Sequence, residues 1–277
     1  MDLTPMLRPR SIAVVGASPR TFAGRVALRN CRALEFAGPV VPVHPRHTRV
    51  DGVPAVASVA ALGEVPDLVV VQVATDRVLA VVAEAAEVGA RSFVIPGRGH
   101  TDSGAAATTL GEGLTELAAS HGVRVVGPNC MGVLDLVTGA APYLGTVPPS
   151  VRRGRVGVLS HSGAVVEALV SSGGRVPLST VVSCGSEVTT TMADYLDFFS
   201  ADPETDAVLA FVEGFADPVR MLAAVRRFAG AGRGRCSAPG RRGDRLRPRR
   251  AVRVRRGAGG RHATPGRPAA PGHQLRR

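Results

Sequence analysis

The 277-residue sequence has no lysine and no tryptophan, two tyrosines and four cysteines. Cys31, Cys130, Cys184 and Cys236 are far apart and form no Cys-x-x-Cys pair, which argues against a structural zinc site and fits reduced thiols in a cytosolic protein. No apolar run approaches the roughly 18 residues that a membrane helix needs. Met1–Arg10 lack the apolar core of a secretory signal. The expectation is a cytoplasmic chain with no membrane partner. At 45% hydrophobic it is too apolar to be wholly disordered, and its length suits one or two domains.

Acidic residues are nearly missing from one region. Residues 231–277 hold 15 arginines, one acid (Asp244) and no aromatic residue, whereas residues 1–230 hold 19 arginines and 21 acids. The formal net charge of +12 therefore belongs to the last 47 residues. A basic arm suggests a nucleic-acid partner, but the lack of aromatics for base stacking weighs against it. With 9 glycines and 5 prolines, this stretch (231–277) is expected to be disordered.

The first 230 residues alternate Val/Ile-rich runs with Ala-rich stretches of helical spacing. Strands are predicted at 11–15, 40–43, 68–73, 92–95 and 123–126, and helices at 23–36, 77–88 (Asp76 as N-cap) and 105–119. This βαβ alternation predicts an α/β fold with a doubly wound, Rossmann-like parallel sheet over 1–146. Pro142–Ser150 reads as a connector. A second unit, 151–230, shows strands at 156–159, 179–183 and 207–212 and helices at 164–171, 192–200 and 218–230. Three strands are few for a free-standing sheet, so this unit reads as an incomplete flavodoxin-like domain.

Several strand ends carry chemistry. Gly16-Ala17-Ser18 is a tight turn between a strand and a helix N-terminus, which suits a phosphate; it lacks the second glycine of the dinucleotide fingerprint. After the second strand comes His44-Pro45-Arg46-His47, where an NAD site carries an acid for the ribose hydroxyls. Cationic residues there point to a phosphorylated ribose, as in NADP or coenzyme A, against a solvated basic loop as the plain alternative. Asn129, in Gly127-Pro128-Asn129-Cys130, offers a donor and an acceptor at a carboxyl edge, or simply forms a turn. Cys130 reads as a packed small residue without a partnered base. Ser160-His161-Ser162-Gly163 is not the Gly-x-Ser-x-Gly elbow; it reads as a helix N-terminus with two hydroxyls, an anion site or a plain cap. His161 reads as a local surface residue. Glu213 closes a strand and is weak evidence alone.

In order, these segments resemble the NDP-forming acyl-CoA synthetases, the family of the succinyl-CoA synthetase alpha subunit and ADP-forming acetate–CoA ligase. The segments are LRPRSIAVVGAS, PVVPVHP, PDLVVVQVATDRVLAVVAEAAEVGAR, GPNCMG, GVLSHSGAV and ADYLDFFSADPETDAVLAFVEG. The family usually has Asn at the position of His44 and Gln or Arg at that of His161. The resemblance covers nearly all of residues 5–230. It implies interconversion of acyl-CoA, NDP and phosphate with acid, CoA and NTP through a phosphohistidine. It implies CoA contacts at Gly16, Ala17, Ser18, Arg46, Thr75, Ile95 and Asn129, phosphate contacts at Ser160, Ser162 and Gly163, and Glu213 as the residue that orients the phosphohistidine.

The chain also departs from the pattern. Pro96-Gly97-Arg98-Gly99 replaces the usual Ser/Ala-Gly-Phe turn. The family's Ser-His-Thr-Gly loop is absent, and His262-Ala263-Thr264-Pro265 is not that motif. ADP or GDP and Mg would enter only through an ATP-grasp domain or a beta-type partner subunit. An Arg/Gly/Pro/Ala-rich stretch is what out-of-frame reading of a GC-rich gene yields, so truncation or a frameshift near residue 230 is the expectation, with a chain not competent alone. The alternatives are a non-catalytic CoA-binding module and, behind it, a nucleic-acid binder acting through the basic tail.

Overall fold

The computed structural model describes residues 2–97, 105–231 and 252–256. After a short helix α1 (Thr4–Leu7), the first unit runs β1 (Ile12–Val15), α2 (Ala23–Ala33), β2 (Val40–Val43), a hairpin of β3 (Arg49–Val50) and β4 (Val53–Pro54), β5 (Leu68–Val71), α3 (Thr75–Glu87), β6 (Ser92–Pro96), α4 (Ala105–His121) and β7 (Arg124–Cys130). The main strands form one sheet in the order β2-β1-β5-β6-β7, with every pairing parallel. β1 and β5 are buried along their whole length, as expected for strands covered on both faces. α3 starts at Thr75 with Ala74 as N-cap, so Asp76 lies in the first turn and not at the cap.

The second unit has β8 (Val133–Asp135), β9 (Arg153–Ser160), α5 (Gly163–Val170), β10 (Leu178–Ser183), α6 (Met192–Ala201), β11 (Ala207–Val212), α7 (Pro218–Ala231) and β12 (Val252–Arg256). Its sheet has five strands, β12-β11-β9-β10-β8, where the sequence pattern predicts three. β8 joins antiparallel to β10 from within the segment assigned to the first unit, and at three residues it is too short to show a period. β12 pairs parallel with β11 from within the stretch expected to be disordered, which corrects that expectation for these five residues. The rest of that expectation, with His262 and Cys236, concerns residues outside the described set.

The connector begins as a buried strap: Tyr143 and Val147 are in the core, as are Ala140 and Ala141 just before it, while Pro149 and Ser150 at its end are exposed. The buried Asn30 of α2 donates from Nδ2 to the carbonyls of Tyr143 (3.0 Å) and Gly145 (2.8 Å), and its Oδ1 accepts from the N–H of Val147 (3.3 Å). One hydrophobic core then runs without a break from α1 and β1 through the strap into β9, β10 and α6. A polar clamp crosses the same seam. Arg8 forks onto Asp202 (2.7 and 2.8 Å) and reaches Asp135 (3.4 Å). Among the described residues no helix is long and apolar enough to cross a membrane.

Candidate functional site

Counting only the five main strands, the first sheet has the order 2-1-3-4-5. Its topological switch point lies between β1 and β5, and ligands bind such sheets outside the carboxyl ends there. Gly16 follows β1 at that point. Its φ of +84°, and the 2.3 Å that would separate an added Cβ from the Gln72 carbonyl, leave no room for a side chain. Two cavities open on either side of this turn. One, of about 400 Å³, is bounded by Gly16, Ser18, Gln72, Thr75, Ile95 and Gly97 among others. The other, of about 220 Å³, lies towards β2 and is bounded by His44, Arg46, Ser58, Arg77 and Glu84. Gly16 and Val73 border both, so one extended ligand could pass over the turn.

The smaller cavity is cationic. Arg46 and Arg77 are exposed at its wall, against Glu84 as its single carboxylate. His44 Nδ1 accepts from the Arg46 N–H at 3.1 Å, and the His44 ring lies 4.3 Å from that of His47. Burial holds the His44 imidazole below its ordinary pKa, and His47, Arg46 and Arg77 push the same way.

Four of the seven expected CoA residues, Gly16, Ser18, Thr75 and Ile95, border the larger cavity, and Arg46 borders the smaller. Ala17 is fully buried in the core, so only its backbone could serve a ligand. Asn129 is elsewhere: it borders a third cavity of about 430 Å³ with His161, Ser186, Glu187 and Glu213. It lies within β7, one residue before its end and with a φ of +56°, where that strand approaches β10 of the second sheet. An added Cβ on Gly185 would sit 2.2 Å from the Pro128 carbonyl, so only glycine permits this approach. Arg98 and Gly99 lie outside the described residues.

At the start of α5 the hydroxyls are already engaged. Ser160 is fully buried; its Oγ donates to the Ser162 carbonyl (2.9 Å) and accepts from the Ser162 N–H (3.1 Å). Ser162 caps the helix by accepting from the Val165 N–H at 3.4 Å. These residues build the turn, and neither borders the third cavity. His161 does, which corrects its reading as a local surface residue. Its side chain is 11% exposed. Nδ1 accepts from the Glu213 N–H at 3.1 Å, which places the ring proton on Nε2, 3.3 Å from Glu187 Oε1. The Glu187 bond raises the His161 pKa above its ordinary value, against burial, with further help from the charges of Glu187 and Glu213. Glu187 is anchored in turn by the Met192 N–H at 2.5 Å. Glu213 directly follows β11 and is exposed at the rim. Sequence reasoning missed Glu187, whose φ of +53° gives no signal in the residue string.

Burial pushes the Cys130 thiol up to about 12 and that of Cys31 up to about 11, so neither is a nucleophile. Among the described residues no group of three His, Cys, Asp or Glu could hold a metal ion.

Comparison with known proteins matches residues 10–135 to a CoA binding domain and residues 153–233 to a succinyl-CoA ligase like flavodoxin domain. A trans-feruloyl-CoA synthase from an unknown prokaryotic organism is 31% identical over 236 residues, 82% of this chain and 33% of that protein. The alpha subunit of an ADP-forming acetate–CoA ligase from Pyrococcus furiosus is 28% identical over 80% of this chain and 49% of its own length. A solved acetyl-coenzyme A synthetase from Ca. Korarchaeum cryptofilum, in complex with phosphate and ADP, is similar at 31% identity and a TM-score of 0.76, over 82% of this chain and 49% of that one. The chain spans a third to a half of the length of these proteins.

Proposed function

The chain carries the CoA-binding domain and the succinyl-CoA ligase-like flavodoxin domain of the NDP-forming acyl-CoA synthetases, in that order, and on that premise we propose that it is the CoA-binding part of an acid–CoA ligase. The supporting observation is the cationic wall of Arg46 and Arg77 beside the Gly16 turn, with His44 as a further lining group. In this reading the 3′-phosphate of CoA lies against Arg46 and Arg77. The pyrophosphate crosses the backbone at Gly16–Ser18, and the remaining length enters the larger cavity past Thr75 and Ile95. The N-terminus of α2, where the Thr21 hydroxyl accepts from the Gly24 N–H at 3.2 Å, adds the positive end of its dipole near that turn.

The second unit takes the phosphate-handling role. Glu213 at the rim of the third cavity would orient a phosphohistidine, and His161 ties the Glu213 backbone to Glu187. Asn129 then contacts CoA where its reactive end crosses from the first sheet to this cavity. Ser160 and Ser162 act by shaping the α5 turn, with the helix dipole as the source of attraction for phosphate. The 277 residues contain no Ser-His-Thr-Gly loop. We therefore assign the phosphohistidine and the nucleotide site, with its ADP or GDP and Mg, to segments or a beta-type partner outside them.

Calorimetric titration tests this reading. The chain should bind CoA and show no comparable affinity for NAD, and the chain alone should turn over no acyl-CoA with ADP and phosphate. Absence of CoA binding would overturn the proposal.

A further inference from the structure

Gln72 is the first polar residue beyond the apolar strand β5, and it borders the larger cavity at the switch point. Its backbone is locked. The N–H donates to the Val15 carbonyl at 2.8 Å, and its own carbonyl is packed so closely on Gly16 that an added Cβ there would sit 2.3 Å away. The side chain is different: Oε1 is buried and has no hydrogen-bond partner among the described residues. A buried amide acceptor without a donor is unfavourable, and folded proteins rarely keep one. The terminal torsion of Gln is broad and two-fold, so the amide can turn into the cavity at little cost.

We propose that Gln72 is a specificity contact of the ligand cavity, its Oε1 accepting a hydrogen bond from an N–H donor of bound CoA. This rests on the CoA reading above. In that reading the donors that reach the larger cavity are the amides of the pantetheine arm. A bound N–H donor would supply the partner that the protein's own described groups do not give Oε1.

The test is calorimetry on the full chain and on Gln72→Met, near in length but without the acceptor, with CoA, 3′,5′-ADP and pantetheine as probes. The variant should bind CoA about 5- to 10-fold more weakly, the effect of losing one neutral hydrogen bond. Its melting temperature without ligand should equal or exceed that of the wild type. 3′,5′-ADP should keep its affinity, because the larger cavity takes the pantetheine arm; an equal loss with 3′,5′-ADP overturns the contact. Equal CoA affinity in the two proteins overturns it. A wild-type chain that binds no CoA removes instead the reading on which the contact rests. Gln72→Leu repeats the comparison should the methionine variant not fold.

Discussion

Replacing Arg8 by Met removes the one cation from a clamp that joins the two units. Asp135 and Asp202 have fully buried side chains, and the Arg8 side chain is 14% exposed. The guanidinium forks onto Asp202, reaches Asp135 and Thr180, and lies 5.5 Å from the centre of the Phe198 ring. Removing one partner of a buried pair costs about 3–5 kcal/mol, because the other charge is left uncompensated. Here the carboxylates keep other donors. Asp135 retains the Thr180 hydroxyl (2.6 Å) and the Thr138 hydroxyl (2.6 Å), and Asp202 retains the Thr205 hydroxyl (2.6 Å) and the Glu204 N–H (3.0 Å). The loss should therefore fall near the lower end, about 3 kcal/mol, or roughly 6–12 °C in melting temperature for a chain of this size. The pH dependence carries the sign. Burial works to raise the Asp202 pKa, but Arg8, Thr205 and the Glu204 N–H outweigh it and hold the group below its ordinary value. Its contribution is thus present above the unfolded pKa and is lost as pH falls through the folded one. Without Arg8 the carboxyl protonates more readily, so the gap between wild type and variant should narrow as pH falls from 7 towards 4. Urea melts at several pH values give the answer. A loss under about 1 kcal/mol at pH 7, or one that does not change with pH, would refute this account of the clamp.

Three further outcomes are expected. Glu187→Gln should lower the His161 pKa, read from the ring resonances in an NMR titration, since Glu187 is the first cause of its elevation. His161 stability linkage is full below the unfolded value of about 6.5 and lost as pH rises through the folded one, so the variant should lose most stability on the acid side. Gly16→Ala should destabilise by about 2 kcal/mol or more, from the positive φ and the Gln72 carbonyl, and should abolish ligand binding by displacing the turn; thermal melts and ligand titration check both. Asn30→Ala should cost about 2–4 kcal/mol in a denaturant melt, because two strap carbonyls and one N–H lose their buried partner.

The strands of the first sheet were legible because parallel strands covered on both faces are continuous apolar runs, as at Leu68–Val71. The ends of α3 and β7 were less so, since a cap or an extension through Pro128 and Asn129 depends on local geometry. β8 escaped notice because three residues show no period, and β12 because its Val-Arg alternation is embedded in an arginine-rich stretch. Among the site residues, the glycine turn and the cationic loop after β2 could be read from residue type and place along the strand order. The division of Asn129 from the first crevice could not, because it depends on how β7 meets the second sheet. The roles of Ser160 and His161 also exchange. The hydroxyl is consumed in its own turn, while the imidazole, which looked incidental, is held by groups 26 and 52 residues away in sequence.

The most direct test of the central claim is a calorimetric comparison of CoA with dephospho-CoA on the wild-type chain and on Arg46→Ala. If the wall of Arg46 and Arg77 holds the 3′-phosphate, wild type should bind CoA at least about tenfold more tightly than dephospho-CoA, as a charge-assisted contact warrants. In Arg46→Ala that preference should largely disappear through weaker CoA binding, with dephospho-CoA affinity unchanged. Equal affinity of the wild type for the two ligands would contradict the account.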